Sequence, residues 1–143
     1  MVDIFVDANI LPTDVMGSRA GWQASSEVLD RVNKMEVSGF ISSLTLTTLF
    51  YEVKKTLPTE TAIQRVREAL EGFQISDLGR GDLEVILSDD RIRDFEDRVQ
   101  FHSAKKVTKV IVTRNKVDYR KVTNEAEVIT PEEFLEKYAH DRP

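Results

Sequence analysis

A chain of 143 residues that is 41% hydrophobic and 31% charged has the length of one domain and the balance of a globular protein rather than a disordered one. No uninterrupted apolar run approaches the roughly 20 residues of a bilayer span, no signal-peptide core stands at the N-terminus, and a cytoplasmic location is the expectation. The absence of cysteine excludes disulfides, thiolate metal sites and thiol catalysis, two histidines leave oxygen as the ligand for any metal, and a net charge of −5 argues against a general nucleic-acid coat.

Residues 2–6 read as a short buried strand. Asp7-Ala8-Asn9-Ile10-Leu11 follows, then a loop with Pro12, Gly17 and Gly21. Over 20–35 the apolar residues Trp22, Val28, Leu29, Val32 and Met35 fall close to the helical period. A second strand is expected over 39–42. A helical stripe (Leu46, Leu49, Phe50, Val53, Leu57) then runs over 43–57 and stops at Pro58. Thr59 is placed to cap a helix reaching Gly72, residues 73–75 are strand-like, and helices are expected over 82–87 and 94–107. Val110-Ile111-Val112-Thr113 is the best strand in the chain. A short strand at 128–129 and a helix over 131–138, with Pro131 in its first turn, close the domain before a frayed tail at 139–143. Strands alternating with helices predict a single α/β domain over 1–143 whose sheet is mostly parallel and covered on both faces.

In such a sheet, ligands bind outside the carboxyl ends of the strands. Asp7 stands at that end of the first strand. Arg114 and Asn115 stand at that end of the 110–113 strand, with Asp118 three residues on. Helical spacing puts Asp97 in line with Phe101 and Ala104, facing the sheet. Asp94-Phe95-Glu96-Asp97 also reads as a helix cap followed by an acid in the first turn. Thr48 and Glu52 share a face of the helix after the second strand, although Glu52 taken alone reads as a partner for Lys55. Carboxylates converging on one crevice repel each other, and a divalent cation such as Mg²⁺ or Mn²⁺ resolves the conflict. That ion can polarise a phosphoryl oxygen and activate water. From Phe101 to Lys121 the chain carries seven bases and one acid, so this stretch is +6 while the remainder is −11. An isolated charge run reads as solvated surface. Here Arg114, Lys116, Arg120 and Lys121 stand where they would hold the rest of a polyanionic strand. His102, beside Phe101, reads as a packing residue, His140 as part of the tail, and Met16 and Met35 as core filling. Trp22 reads as packing the helix it begins, or as lining a partner groove.

Four segments, Ile4-Phe5-Val6-Asp7-Ala8-Asn9-Ile10-Leu11, Ile41-Ser42-Ser43-Leu44-Thr45-Leu46, Asp94-Phe95-Glu96-Asp97 and Ile111-Val112-Thr113-Arg114-Asn115-Lys116-Val117-Asp118-Tyr119, resemble in order and spacing those of PIN-domain proteins. That family includes the toxin ribonucleases of VapBC toxin–antitoxin pairs. The closing Ile129-Thr130-Pro131-Glu132-Glu133-Phe134-Leu135 is similar to the family's usual ending. The resemblance implies a three-layer α/β/α sandwich acting as a Mg²⁺- or Mn²⁺-dependent ribonuclease on single-stranded RNA, with a cognate antitoxin and a homodimer as expected partners. It places the family's first acid on Asp7, with Asn9 as polar support, and its third on Asp97. The strand-end motif falls on Thr113 and Asn115, and the acid that often follows on Asp118. On this reading Asp7 and Asp97 bind the metal and Glu52 or Asp118 positions or deprotonates the water. Two departures stand out. The usual second acid falls on Thr48, with Glu52 one turn later, and Asn115 occupies a position where many relatives have Asp.

Two other classes of function are consistent with these residues. One is a non-catalytic module of the same fold that binds RNA or a protein. The other is a phosphohydrolase with Asp7 as nucleophile, although that chemistry wants a second Asp where Asn9 stands. A receiver domain would need an Asp ending a central strand after a first-strand acidic pair, and none is present.

Overall fold

Short runs of β-branched and aromatic residues form five parallel strands in the computed structural model, which describes residues 1–11 and 21–139. They are β1 (Asp3–Val6), β2 (Ser38–Ile41), β3 (Gln74–Ile75), β4 (Val110–Val112) and β5 (Glu127–Ile129), in the spatial order β3-β2-β1-β4-β5. Helices connect them: α1 (Trp22–Asn33), α2 (Ser43–Lys54), α3 (Thr59–Gly72), α4 (Arg80–Leu87), α5 (Phe95–Lys105) and α6 (Pro131–Lys137). Parallel neighbours require crossovers, and the crossovers cover the sheet.

Alternation along the central strands sorts the core into two layers. Ile4, Val6, Val110, Val112 and Ile129 point to one face, where they meet Val28 and Val32 of α1, Leu49 and Val53 of α2, Ala62 and Ala69 of α3 and Phe134 of α6. Phe5, Ile111 and Val128 point to the other, against Phe101 and Ala104 of α5 and against Tyr119 and Val122. The result is a three-layer α/β/α sandwich. No helix of the described residues is long and apolar enough to cross a membrane.

Several boundaries differ from the periodicity, each for a local reason. Ser42 leaves the sheet to cap α2: its Oγ accepts the Thr45 N–H at 3.2 Å and donates to Gln100 Oε1 at 2.5 Å, and Gln100 returns a bond to Thr45 Oγ1 at 2.8 Å. This buried network ties the start of α2 to α5. The last turn before Pro58 tightens, with the Thr56 N–H donating to the Val53 carbonyl at 3.2 Å, so α2 ends at Lys54. Pro58, not Thr59, occupies the cap position of α3. Asp94 caps α5 through the Asp97 N–H at 3.0 Å. Two 3-10 turns, Ala8–Ile10 and Lys116–Val122, follow β1 and β4 where the sequence showed no helical period. Met35 is exposed rather than core, because it lies past the end of α1 at φ +61°. The loop expected at Pro12 and Gly17, together with Met16, Ala20 and His140, lies outside the described residues.

Candidate functional site

The register between β1 and β4 pairs Val6 with Val112, so the next residues, Asp7 and Thr113, emerge side by side at the carboxyl edge. The Asp7 N–H donates to the Val112 carbonyl at 3.0 Å. Here the chain order reverses: β2 and β3 are added on one side of β1, and β4 on the other. Such a reversal opens a crevice between the connections that diverge from it.

A web of hydroxyls and amides holds the two strand ends together. Thr113 Oγ1 donates to Asp7 Oδ2 at 3.0 Å, and the hydroxyl of Tyr119, a residue only 1% exposed, donates to the same oxygen at 3.3 Å. Asn9 bridges the strands, giving a hydrogen bond from Nδ2 to Thr113 Oγ1 at 3.2 Å and receiving the Arg114 N–H on Oδ1 at 3.2 Å. The Asn115 N–H donates to Thr113 Oγ1 at 3.1 Å. Thr113 and Asn9 therefore support the site from beneath.

Above this floor is a cavity of about 370 Å³ lined by Asp7, Ala8, Asn9, Thr48, Glu52, Asp94, Glu96, Asp97, Asn115 and Asp118. It brings together residues from β1, α2, α5 and the turn after β4. Burial pushes the Asp7 carboxyl above its ordinary value, against the opposing pull of the Thr113 and Tyr119 hydroxyls, and the charge of Glu96 adds to the rise. Asp97 is pushed up to about 7, first by burial and then by the charges of Asp7, Asp94 and Asp118, with a hydrogen bond to Asp118 favouring the protonated form. The Tyr119 phenol is driven upward by its burial and by Asp7, so it stays a donor. Asn115 Nδ2 donates to Asp118 Oδ2, and Thr48 Oγ1 donates to Glu96 Oε1 at 2.7 Å. Glu52 reaches the cavity wall but is exposed and ion-paired with Lys55 at 2.8 Å.

The donor set is entirely oxygen, as Mg²⁺ and Mn²⁺ prefer. Among the described residues, however, no group of three or more carboxylates or histidines stands ready to hold a metal ion. The arrangement suits a largely hydrated cation touching one or two carboxylates, not a protein cage.

Two of the four bases placed beside the crevice by sequence turn elsewhere. Arg114 reaches across to α1, donating from Nη2 to the Gly21 carbonyl, from Nε to Ser25 Oγ at 3.0 Å, and from Nη1 to Glu132 of α6 at 3.3 Å. Gly21 has φ +78°, in the left-handed region that favours glycine, and a Cβ there would lie 2.6 Å from Arg114 Nη1, so a side chain would have to push the guanidinium aside. Lys116 pairs with Glu133 at 3.0 Å. Arg120 and Lys121 instead line an adjoining cavity of about 890 Å³, which shares Asp94, Asp97 and Asp118 with the first and adds Asp90, Arg91, Arg93, Arg98 and Val117. On the far side of α5, His102 packs edge-on to Phe101 and hydrogen-bonds Asp89 at 2.7 Å.

Glu96 and Tyr119 are the site residues that the sequence left unassigned. Tyr119 closes the strand-end segment one residue after Asp118, but its 3-10 setting has no period to reveal the direction of its ring. Glu96 lay inside a segment legible as capping chemistry. The sequence matches no protein-family model and no curated protein.

Proposed function

We propose that this chain is a metal-dependent endoribonuclease of the PIN-domain type, hydrolysing phosphodiester bonds of single-stranded RNA and serving as the toxin of a toxin–antitoxin pair. The observation that carries the reading is the convergence of Asp7, Asp97 and Asp118 on one cavity at the switch point of the sheet, where burial and the neighbouring charges push the Asp97 carboxyl up to about 7. Such crowding stores repulsion that a divalent cation relieves.

Asp7 and Asp97 would hold the cation, with the carbonyl of Asn115 as a neutral third donor. Bound there, Mg²⁺ or Mn²⁺ supplies charge stabilisation on the phosphoryl oxygens and a more acidic water. Thr113 and Tyr119 fix Asp7 by occupying Oδ2, so the carboxylate presents one orientation to the cavity. Asn115 orients Asp118 through its amide, placing a proton acceptor next to Asp97. Asp118, rather than the exposed and lysine-paired Glu52, is the better placed of the two to take a proton from water.

A non-catalytic module that binds RNA or a protein is favoured by one observation: Thr48 stands on the cavity wall without a charge of its own. Cleavage of a mixed single-stranded RNA pool with Mg²⁺, Mn²⁺ or EDTA, beside Asp7→Asn, separates the two. Metal-dependent cutting lost in the mutant supports the nuclease; tight, EDTA-indifferent binding by folded protein without cutting supports the module.

A further inference from the structure

We propose that the cavity beside the acidic pocket is a subsite for backbone phosphates of a nucleic-acid strand, and that the strand leaves the acids past Arg93, Arg120 and Lys121 rather than past Arg114 and Lys116. The inference rests on the nuclease reading for what happens in the pocket, but not for the binding itself.

The two cavities meet at Asp94, Asp97 and Asp118, so whatever lies across those acids continues into the larger one. Beyond that boundary the wall turns basic. Arg93 follows directly before Asp94, and Arg120 and Lys121 come two and three residues after Asp118. Arg93 and Lys121 are exposed, and among the described residues the ion pairs in this region are those of Arg91, Lys105 and Lys116, not theirs. Arg98 is held by the carbonyls of Ile92 at 2.6 Å and Ile86 at 3.2 Å, contacts that fix its guanidinium without cancelling its charge. Arg91, by contrast, is spent on Asp89 and Glu125.

The other exit is electrostatically closed. Glu132 and Glu133 at the start of α6 neutralise Arg114 and Lys116. A polyanion crossing there would have to displace two ion pairs. Past Arg93, Arg120 and Lys121 it meets exposed cations. Unpaired bases along a groove are what tracks a phosphodiester backbone, and each phosphate neutralised on a single strand adds about 0.7 to the slope of log affinity against log salt.

The test is fluorescence anisotropy of a labelled single-stranded RNA 12-mer in EDTA across a salt series. Arg93→Ala and Lys121→Ala are the probing variants, and Lys116→Ala the comparison. Arg93 and Lys121 have no internal ion pair to lose, so the fold should survive their removal, and circular dichroism checks it. The expected result is a slope lower by about 0.7 for each of the two variants and by about 1.4 for the pair, with Lys116→Ala matching wild type. Unchanged slopes in both probing variants, an equal loss in Lys116→Ala, or equal competition by poly-glutamate, as for an acidic protein partner, would overturn the subsite. Cleavage with Mn²⁺ is read separately. Groove-dependent binding without cutting keeps the subsite and removes the nuclease reading, whereas cutting with groove-independent binding does the reverse.

Discussion

Thr48 Oγ1 donates to Glu96 Oε1 at 2.7 Å, joining α2 to α5 across the mouth of the pocket. A hydroxyl on one helix thus holds a carboxylate supplied by the other. Replacing Thr48 by Asp would set two acids face to face in a pocket that already crowds Asp7 and Asp97. Thr48→Asp is expected to lower the metal-free melting temperature by a few degrees, on the order of 1 kcal/mol, and to recover it in millimolar Mn²⁺. Differential scanning fluorimetry with and without Mn²⁺ reads both effects. A melting temperature that Mn²⁺ fails to raise in this variant would argue against a cation between α2, α5 and β1.

Asp7 is a burial-raised acid, so its charge costs folding free energy when no cation is present. Asp7→Asn keeps an acceptor for Thr113 and Tyr119 and removes the charge. Metal-dependent cleavage should disappear while the melting temperature at pH 8 stays level or rises. Tyr119→Phe removes only one donor to Oδ2, and it should weaken Mn²⁺ binding measured by calorimetry with little change in fold.

The pH dependence follows from Asp97, whose folded value of about 7 lies above its ordinary 3.8. The folded state then holds a proton that the unfolded state has given up. Stability from this group is complete below the unfolded value and is lost as pH rises toward and through 7. Metal-free protein should therefore melt progressively lower from pH 5 to pH 8. The slope should flatten in Asp97→Asn and in saturating Mg²⁺, which releases the proton. Asp89 works in the opposite sense: Arg91 first, and His102 with it, holds its carboxyl well below the usual range. Its contribution is present above about 4 and fails only on stronger acidification, outside the window set by Asp97.

Arg114 is a clamp between the end of β4, α1 and α6. Arg114→Ala should cost about 2 kcal/mol, the loss of charge-assisted bonds to Gly21, Ser25 and Glu132. Arg114→Lys should recover little, since an ammonium cannot reproduce the fork. Denaturant unfolding gives both numbers, and the salt slope of RNA binding should not move in either variant.

What could be read in advance divides along the chain. Asp7 is legible because it follows directly on an apolar strand, and Asn115 and Asp118 because they lie in the few residues after another; in a parallel sheet every strand delivers its end to one edge. Asp97 was legible because helical spacing aligned it with Phe101 and Ala104. Glu96, its immediate neighbour, was not, for its role depends on Thr48, 48 positions away, through a contact no local period encodes. The pairing of Arg114 and Lys116 stayed hidden for a related reason. Glu132 and Glu133 sit in the α6 start that reads as an ordinary helix opening, and only the β4–β5 pairing folds it back over the strand end.

The margins of the sheet have a consequence for assembly. β3 offers two residues and β5 three, and the outermost ribbons of backbone are accordingly brief. A strand that short is a poor template for another chain seeking to extend the ladder. Another chain would gain few backbone hydrogen bonds by zipping onto either end of the sheet, so the sheet is guarded at both margins against growth by strand addition.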